Sequence, residues 1–303
     1  MAVKFNLTDN FRCAGTMVDN NGGSAEYAVP KPSGKLKEDF TTNEKALTCG
    51  MKFQLGRGNF WLLGGAFMEN FEYDRFNFVA PGLPLAHLSL EGQEFGYRIG
   101  AAYDIPEIAF RAQVMYRSGT SYGADGTLSV PGAALGLPTV PEVVGNAYGD
   151  GNLPQTVEVK LQSGIAPGWL AFGSVKWSDW SVQERLLVTS NFGPIPGPTS
   201  DDVYNWKDGW TVTGGLGHAF NDRVSGLVAL TWDSGVETGY DLSSDTYTLA
   251  VGASVKDGIG GELRGGIGYS YLTSAEVTKG ADTGLAVKAG HAFALNVGYN
   301  IKW

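Results

Sequence analysis

Few residues in this chain have the chemistry of a reactive site. There are three histidines, His87, His218 and His291. His87 is followed two positions later by Ser89, and on a strand that spacing puts both side chains on one face. A histidine beside a serine hydroxyl is the start of a nucleophilic acyl-transfer site, but a third group must orient the imidazole. The pair sits in an apolar, proline-containing stretch and the sequence offers no evident orienter, so no catalytic residue is assigned. His218 and His291 fall within strand patterns and read as wall side chains. The two cysteines, Cys13 and Cys49, have neither a CxxC motif nor metal-ligand spacing, so zinc and thioredoxin-like chemistry are not expected and no metal or cofactor is assigned. Two readings of them stay open: a disulfide, if the compartment is oxidising, or two unrelated small apolar residues. At period two Cys13 shares a face with Phe11 and Met17, and Cys49 with Leu47, Met51 and Phe53, so both occupy apolar faces.

The elements that carry these residues are strands. From His291 to Trp303, alternate residues Phe293, Leu295, Val297, Tyr299, Ile301 and Trp303 are apolar, and those between are small or polar. Leu263, Ile267, Tyr269 and Tyr271 share one face, opposite Glu262, Arg264 and Ser270. Period two means a strand with one greasy face. Strand patterns fall near 2–8, 11–20, 41–55, 59–74, 92–104, 108–122, 155–165, 169–187, 207–220, 223–233, 245–256, 261–274 and 286–303. Short turns alternate with long connections. The short ones are Asp9-Asn10, Gly56-Arg57-Gly58, Ile105-Pro106-Glu107, Ala166-Pro167-Gly168, Asn221-Asp222 and Asp257-Gly258, where Gly and Asn accept positive φ and Pro presets φ. The long ones lie near 20–40, 75–91, 124–153, 188–205, 234–243 and 275–285.

The chain has 303 residues, with 44 Gly, 8 Trp, 13 Tyr and 15 Phe, and only 17% charged residues. No window reaches the roughly 18 consecutive apolar residues of a spanning helix, which a transmembrane barrel does not need because only alternate residues face lipid. A net charge of -9 with no basic stripe excludes nucleic acid as a partner. Periodicity alone does not separate a soluble sheet, greasy inside, from a barrel, greasy outside. Strand number, alternating turn lengths and an aromatic end favour the barrel. The fold class is therefore all-β: an up-and-down antiparallel transmembrane β-barrel of about 12 to 14 strands, one domain over 1–303, with long external loops and short periplasmic turns. MAVKFNLTDN has no basic n-region and no apolar h-region, so the expectation is a processed or shortened form of an exported protein.

From Leu153 the chain reads LPQTVEVKLQSGIAPGWLAFGSVKWSDWSVQ. Leu153-Pro154, an extended strand, a tight turn, and a second strand ending in Trp177-Ser178-Asp179-Trp180 resemble the long-chain fatty-acid and hydrocarbon transporter family of Gram-negative outer membranes, the FadL type. A weaker resemblance runs from residue 1 to Trp303. It implies a fourteen-stranded barrel plugged by an N-terminal hatch. Met1 would fall inside the family's second strand, so the hatch and first strand are expected to be absent from this chain. The family's kinked third strand, which opens a lateral path to the membrane, corresponds to Asn20, Asn21, Gly22 and Gly23, with Asp19 before them. Gly and Asn there weaken a ladder and permit a bulge; an ordinary loop start is the other reading.

Two long connections are unusually apolar. One carries Phe76, Phe78, Leu83 and Leu85 with Val79, Leu88 and Leu90, and the other Leu135, Leu137 and Val140 with Leu128, Val130, Val143 and Val144. Greasy loops need a reason. They either pack on each other over the barrel mouth or present a groove to a hydrophobic solute, and the resemblance implies a first ligand site between neighbouring external loops. Phe76, Phe78, Leu83, Leu85, Leu135, Leu137 and Val140 are the expected ligand-binding residues. The expected function is passive transport of hydrophobic molecules, long-chain fatty acids or aromatic hydrocarbons, across the outer membrane, with no enzymatic step. The alternatives are a porin for polar solutes and a barrel lipid hydrolase. Expected partners are the solute, membrane lipid and lipopolysaccharide, and the assembly machinery that reads the strand ending at Trp303.

Overall fold

The computed structural model describes residues 1–193 and 195–301. The expected aromatic end, Trp303, lies outside the described residues. The chain runs β1 (Ala2–Asn6), β2 (Phe11–Glu26), β3 (Lys35–Leu55), β4 (Gly58–Asn77) and β5 (Ala86–Ile105), then β6 (Phe110–Arg117) and β7 (Thr120–Pro131). It continues through β8 (Glu142–Leu153), β9 (Thr156–Ala166), β10 (Trp169–Ser178), β11 (Arg185–Phe192), β12 (Ile195–Pro196), β13 (Ser200–Val203) and β14 (Gly209–Ala219). It ends with β15 (Val224–Asp233), β16 (Thr246–Lys256), β17 (Gly261–Leu272), the small β18 (Ala275–Glu276) and β19 (Ala286–Val287) pair, and β20 (Gly290–Ile301).

Apart from the β18–β19 ladder these strands form one antiparallel sheet. β5 is long enough to pair with both β6 and β7, and each of β6/β7, β8/β9, β10/β11 and β13/β14 is one traversal interrupted part-way. Counted so, the wall has thirteen traversals, inside the expected 12 to 14. The interruptions have local causes. Pro154, between β8 and β9, has no N–H to donate to a ladder. After Ser178 a short 3-10 turn, Trp180–Val182, takes the chain off the wall before β11 resumes. All six expected short turns join consecutive strands, and Gly56 takes φ 60°, which a side chain disfavours.

The connections read near 20–40, 75–91 and 124–153 are shorter than the sequence reading placed them. β2 runs to Glu26 and β3 begins at Lys35; β4 reaches Asn77, β5 begins at Ala86, and β7 and β8 fill most of 124–153. Leu88, Leu90, Leu128, Val130, Val143 and Val144, expected in loops, lie in strands. The cause is a change of polarity along the strands. In β5 the outward set runs Phe95, Tyr97, Ile99 toward the short-turn end but His87, Ser89, Glu91, Gln93 toward the other, while inward Leu88 and Leu90 are fully buried. A pattern that swaps faces mid-strand looks like the end of a strand. β4 changes at the same level, from outward Met68 to Asn70, and the register pairs Met68 with Phe95 and Asn70 with Gln93.

Outside, the short-turn half carries an apolar band that includes Leu47, Leu62, Phe95, Ile99, Leu161, Leu230, Val251, Ile267 and Leu295, all exposed. That is the lipid-facing half of a barrel. Cys13 and Cys49 are direct cross-strand partners of β2 and β3 on this face and form a disulfide. Inside, Glu44 and Glu69 have no exposed surface. Arg117 bridges them, with Nε 2.8 Å from Glu44 and a terminal nitrogen 2.9 Å from Glu69. Arg98 contacts Glu44 as well, and Arg117 lies 4.0 Å over the Phe67 ring. Polar groups thus face inward where apolar ones face lipid. Above this level the chain packs as a soluble protein does, around Phe71, Tyr73, Leu88, Leu90, Tyr122, Leu186 and Val188. Among the described residues β1 pairs only with β2 and β20 only with β17, so no ladder joins β1 to β20.

Candidate functional site

The inward aromatic residues of the long-connection half enclose a cavity of about 580 Å³. β3 supplies Phe40, β4 Phe71 and Tyr73, β7 Tyr122, and β8 Leu153. The opposite side comes from Trp180 in the 3-10 turn, Tyr204 and Trp206 after β13, and Tyr240 in the β15–β16 connection. The rings hold one another in place. Phe71 lies 5.5 Å from Phe40 and 4.9 Å from Tyr122, and Trp206 lies 5.2 Å from Trp180 and 4.9 Å from Tyr204. Rings at such spacings form a wall with fixed shape rather than a loose greasy patch.

A charged rim ties the two sides together. The Lys35 Nζ sits 2.7 Å from Glu38, whose other oxygen accepts from the Tyr73 hydroxyl at 2.8 Å and the Tyr204 hydroxyl at 3.1 Å. Arg75 pairs with Asp202 and donates to the Ser200 hydroxyl at 3.1 Å. Ser33 donates its backbone N–H and its hydroxyl to Asp282, at 2.9 and 3.1 Å, which links the β2–β3 connection to the β17–β20 connection. Burial works against ionisation of Glu38, yet Lys35 and the two phenols hold its carboxyl below the ordinary glutamate range. Burial, with Glu38 adding to it, pushes the Tyr73 and Tyr204 phenols well above theirs, so both stay protonated donors.

Beneath the cavity, Tyr122 donates its hydroxyl to Glu69 at 2.9 Å, so the cavity floor rests on the Glu44–Arg117–Glu69 network. To one side the wall is β2. Its register against β3 slips by one residue between Asp19 and Asn21, leaving Asn20 as the extra residue of a bulge. A groove of about 440 Å³ runs over Asn20, Asn21, Gly22 and Gly23, and Gly23, with Ser24 and Ala25, also lines the cavity. A Cβ at Gly23 would meet no atom within 4 Å, so there is open space beside it.

The seven residues expected to bind ligand lie outside the cavity, at the long-connection end of the wall. Phe76 is near the end of β4, stacked on His87 at 4.2 Å. Phe78, Leu83 and Leu85 are in the β4–β5 connection, and Leu135, Leu137 and Val140 in the β7–β8 connection. The β5–β7 ladder makes these connections neighbours, and Leu135 packs on the small cluster of Ala86, Val130 and Phe192. None of the seven lines the cavity. Sequence reading missed Phe40, Phe71, Tyr73, Tyr122, Tyr204 and Trp206. A signal for three of them was present: in β4 the aromatics Phe71 and Tyr73 alternate with Asn70, Glu72 and Asp74, and Phe40 sits opposite Tyr73 in β3. Trp180 and Leu153 were in view, since both belong to the stretch that carries the family resemblance, and both face the cavity.

His87 has an orienter that the sequence did not reveal: its Nε2 lies 2.7 Å from Asp74. Among the described residues no hydrogen bond joins His87 to Ser89, so the serine lacks a base. A model of the outer membrane protein transport proteins, the OMPP1/FadL/TodX group, matches residues 42–299. The chain belongs to this family. It is a transport protein of the Gram-negative outer membrane and not an enzyme. A long-chain fatty acid transport protein of Salmonella typhi is 21% identical over 310 residues, covering 90% of this chain and 69% of that relative. Among solved structures, a FadL homologue of Pseudomonas aeruginosa matches with a TM-score of 0.76 at 13% identity, over 98% of this chain and 76% of that one. The toluene transporter TodX of Pseudomonas putida matches at 0.66 and 13%, over 96% and 79%. At such identities the structural matches show the fold. The family places the chain's greasy face in the membrane, which periodicity could not decide.

Proposed function

We propose that this chain moves hydrophobic molecules, long-chain fatty acids or aromatic hydrocarbons, passively across the outer membrane, and that the aromatic cavity is their way-station. The observation that carries the reading is the shared wall: Gly23 lines both the cavity and the groove over the β2 bulge. Solute is captured at the rim by Phe76, Phe78, Leu83, Leu85, Leu135, Leu137 and Val140, enters the cavity, and leaves sideways past Asn20–Gly23, which lie opposite Phe40–Asn43 beyond the apolar band, to the outer face of the bilayer. No covalent step is needed, because the solute exchanges one apolar environment for another. A solute burying about 200 Å² of apolar surface gains roughly 5 kcal/mol, a weak affinity that permits release. A porin for polar solutes is disfavoured by the aromatic cavity and by the buried Glu44–Arg117–Glu69 network below it. The exposed apolar band, β20 included, meets membrane lipid and lipopolysaccharide, and the alternating apolar face of β20 is the signal read by the assembly machinery.

Filling the open space beside Gly23 tests the lateral route. In cells displaying equal amounts of folded barrel, Gly23→Trp is expected to slow uptake of a labelled hydrophobic solute at least about tenfold, because the indole has free volume to occupy and no ladder contact to break. Uptake at the unmodified rate would remove the side exit.

A further inference from the structure

Resting on the transport reading above, we infer that Glu38, Asp202 and Asp282 make this cavity selective for uncharged hydrophobic solutes over carboxylates. Two cations line the cavity, Lys31 and Lys35, against five carboxylates, which include these three. Each cation is already matched. Lys35 sits 2.7 Å from Glu38, and Lys31 lies 3.7 Å from Asp282. Both lysine side chains are nine-tenths buried, so neither has solvent to draw a further counter-ion from. Arg75, behind the wall, is paired with Asp202.

A solute carboxylate entering here loses its hydration and finds no unpaired cation. It must either displace Glu38 from Lys35, breaking the bonds that Tyr73 and Tyr204 also make to Glu38, or sit beside an excess of like charge. A neutral alkylbenzene meets the same rings and has no charge to place. Glu38 stays ionised, since its carboxyl is held below the ordinary range. These carboxylates therefore act as specificity determinants: they do not bind the solute, they occupy the cations that would bind its acid group.

The folded chain in amphipol, loaded with the neutral fluorophore N-phenyl-1-naphthylamine, provides the test. Hexylbenzene and 6-phenylhexanoate present nearly the same apolar surface and differ by the carboxylate. Hexylbenzene is expected to displace the fluorophore at a concentration at least about tenfold lower. In Glu38→Gln, which leaves Lys35 unmatched, the ratio is expected to move about tenfold toward the carboxylate; Asp282→Asn, which leaves Lys31 unmatched, gives the same readout should Glu38→Gln fail to assemble. Comparing ratios between variants cancels partition of the probes into amphipol. Equal or tighter displacement by 6-phenylhexanoate in the unmodified chain overturns the inference and leaves the transport reading standing, and so does a ratio that both variants leave unmoved. Failure of the fluorophore and both displacers to bind overturns the transport reading, and the inference with it.

Discussion

At the scale of single residues, the lumen depends on Arg117. Glu44 and Glu69 have no exposed surface, and Arg117 is the ion-pair partner they share. Removing it leaves Arg98 against Glu44, and leaves Glu69 with only the Thr120 and Tyr122 hydroxyls. A buried charge stripped of its partner costs about 3 to 5 kcal/mol, whereas replacing a whole buried ionic cluster by neutral groups is often close to neutral. Arg117→Met is therefore expected to lower folding stability by about 3 to 5 kcal/mol, read as the urea midpoint of the barrel refolded in liposomes. The double change Glu69→Gln, Arg117→Met, which keeps the Glu44–Arg98 pair, is expected to recover most of that loss. A single change as mild as the double would mean that the ion pairs hold little of the structure together.

At the scale of elements, the rim connections carry the next expectation. Leu85 is exposed and Leu137 half-buried, in the neighbouring β4–β5 and β7–β8 connections outside the ladder. Changing both to Ser should leave assembly intact and slow uptake of a hydrophobic solute several-fold, measured at equal amounts of heat-modifiable folded protein. If the two loops serve only to pack on each other, uptake stays unchanged. The strands themselves were legible wherever one face stays greasy throughout, as in β15, β16, β17 and β20, whose bounds fall within a few residues of the sequence reading. They were illegible in the parts of β5, β7 and β8 that lie above the membrane, where the greasy face turns inward, because period-two reasoning assumes one environment per face. The bulge was visible as Asn and Gly at positions 20–23, yet only the register showed that the strand runs on through it to Glu26. The cavity was the hardest to see. Its walls come from residues such as Phe40 and Tyr204, far apart in the chain, and the Tyr204–Glu38 contact is set by the way the wall curls round, which no local pattern encodes.

At the scale of the whole molecule, the change of faces defines where the membrane ends. On β3 the outward residues Leu47, Cys49, Met51, Phe53 and Leu55 are apolar, and Lys45, Asn43 and Thr41 beyond them are polar. Nine residues at about 3.3 Å each, tilted about 40° from the normal, span roughly 23 Å, close to the apolar band of an outer-membrane barrel. The ladder pairs Lys45, the first polar residue of that row, with Met68 and through it Phe95, the last apolar ones on β4 and β5. Beyond it the wall continues into water, where inward Leu88 and Leu90 make an ordinary core. Two outward positions on β5 lie on either side of this level: Ile99, 54% exposed within the band, and Gln93 outside it. An arginine facing the hydrocarbon midplane costs about 2 to 4 kcal/mol, and near the interface about 0 to 1. Ile99→Arg is therefore expected to destabilise the barrel refolded in lipid vesicles by an amount in the upper range, and Gln93→Arg by less than about 1 kcal/mol. Strand propensity differs between Ile and Gln by at most about 1 kcal/mol, too little to produce the contrast by itself. Equal costs at the two sites would put the membrane boundary elsewhere on β5, and with it the claim that the aromatic cavity stands in the part of the barrel beyond the bilayer.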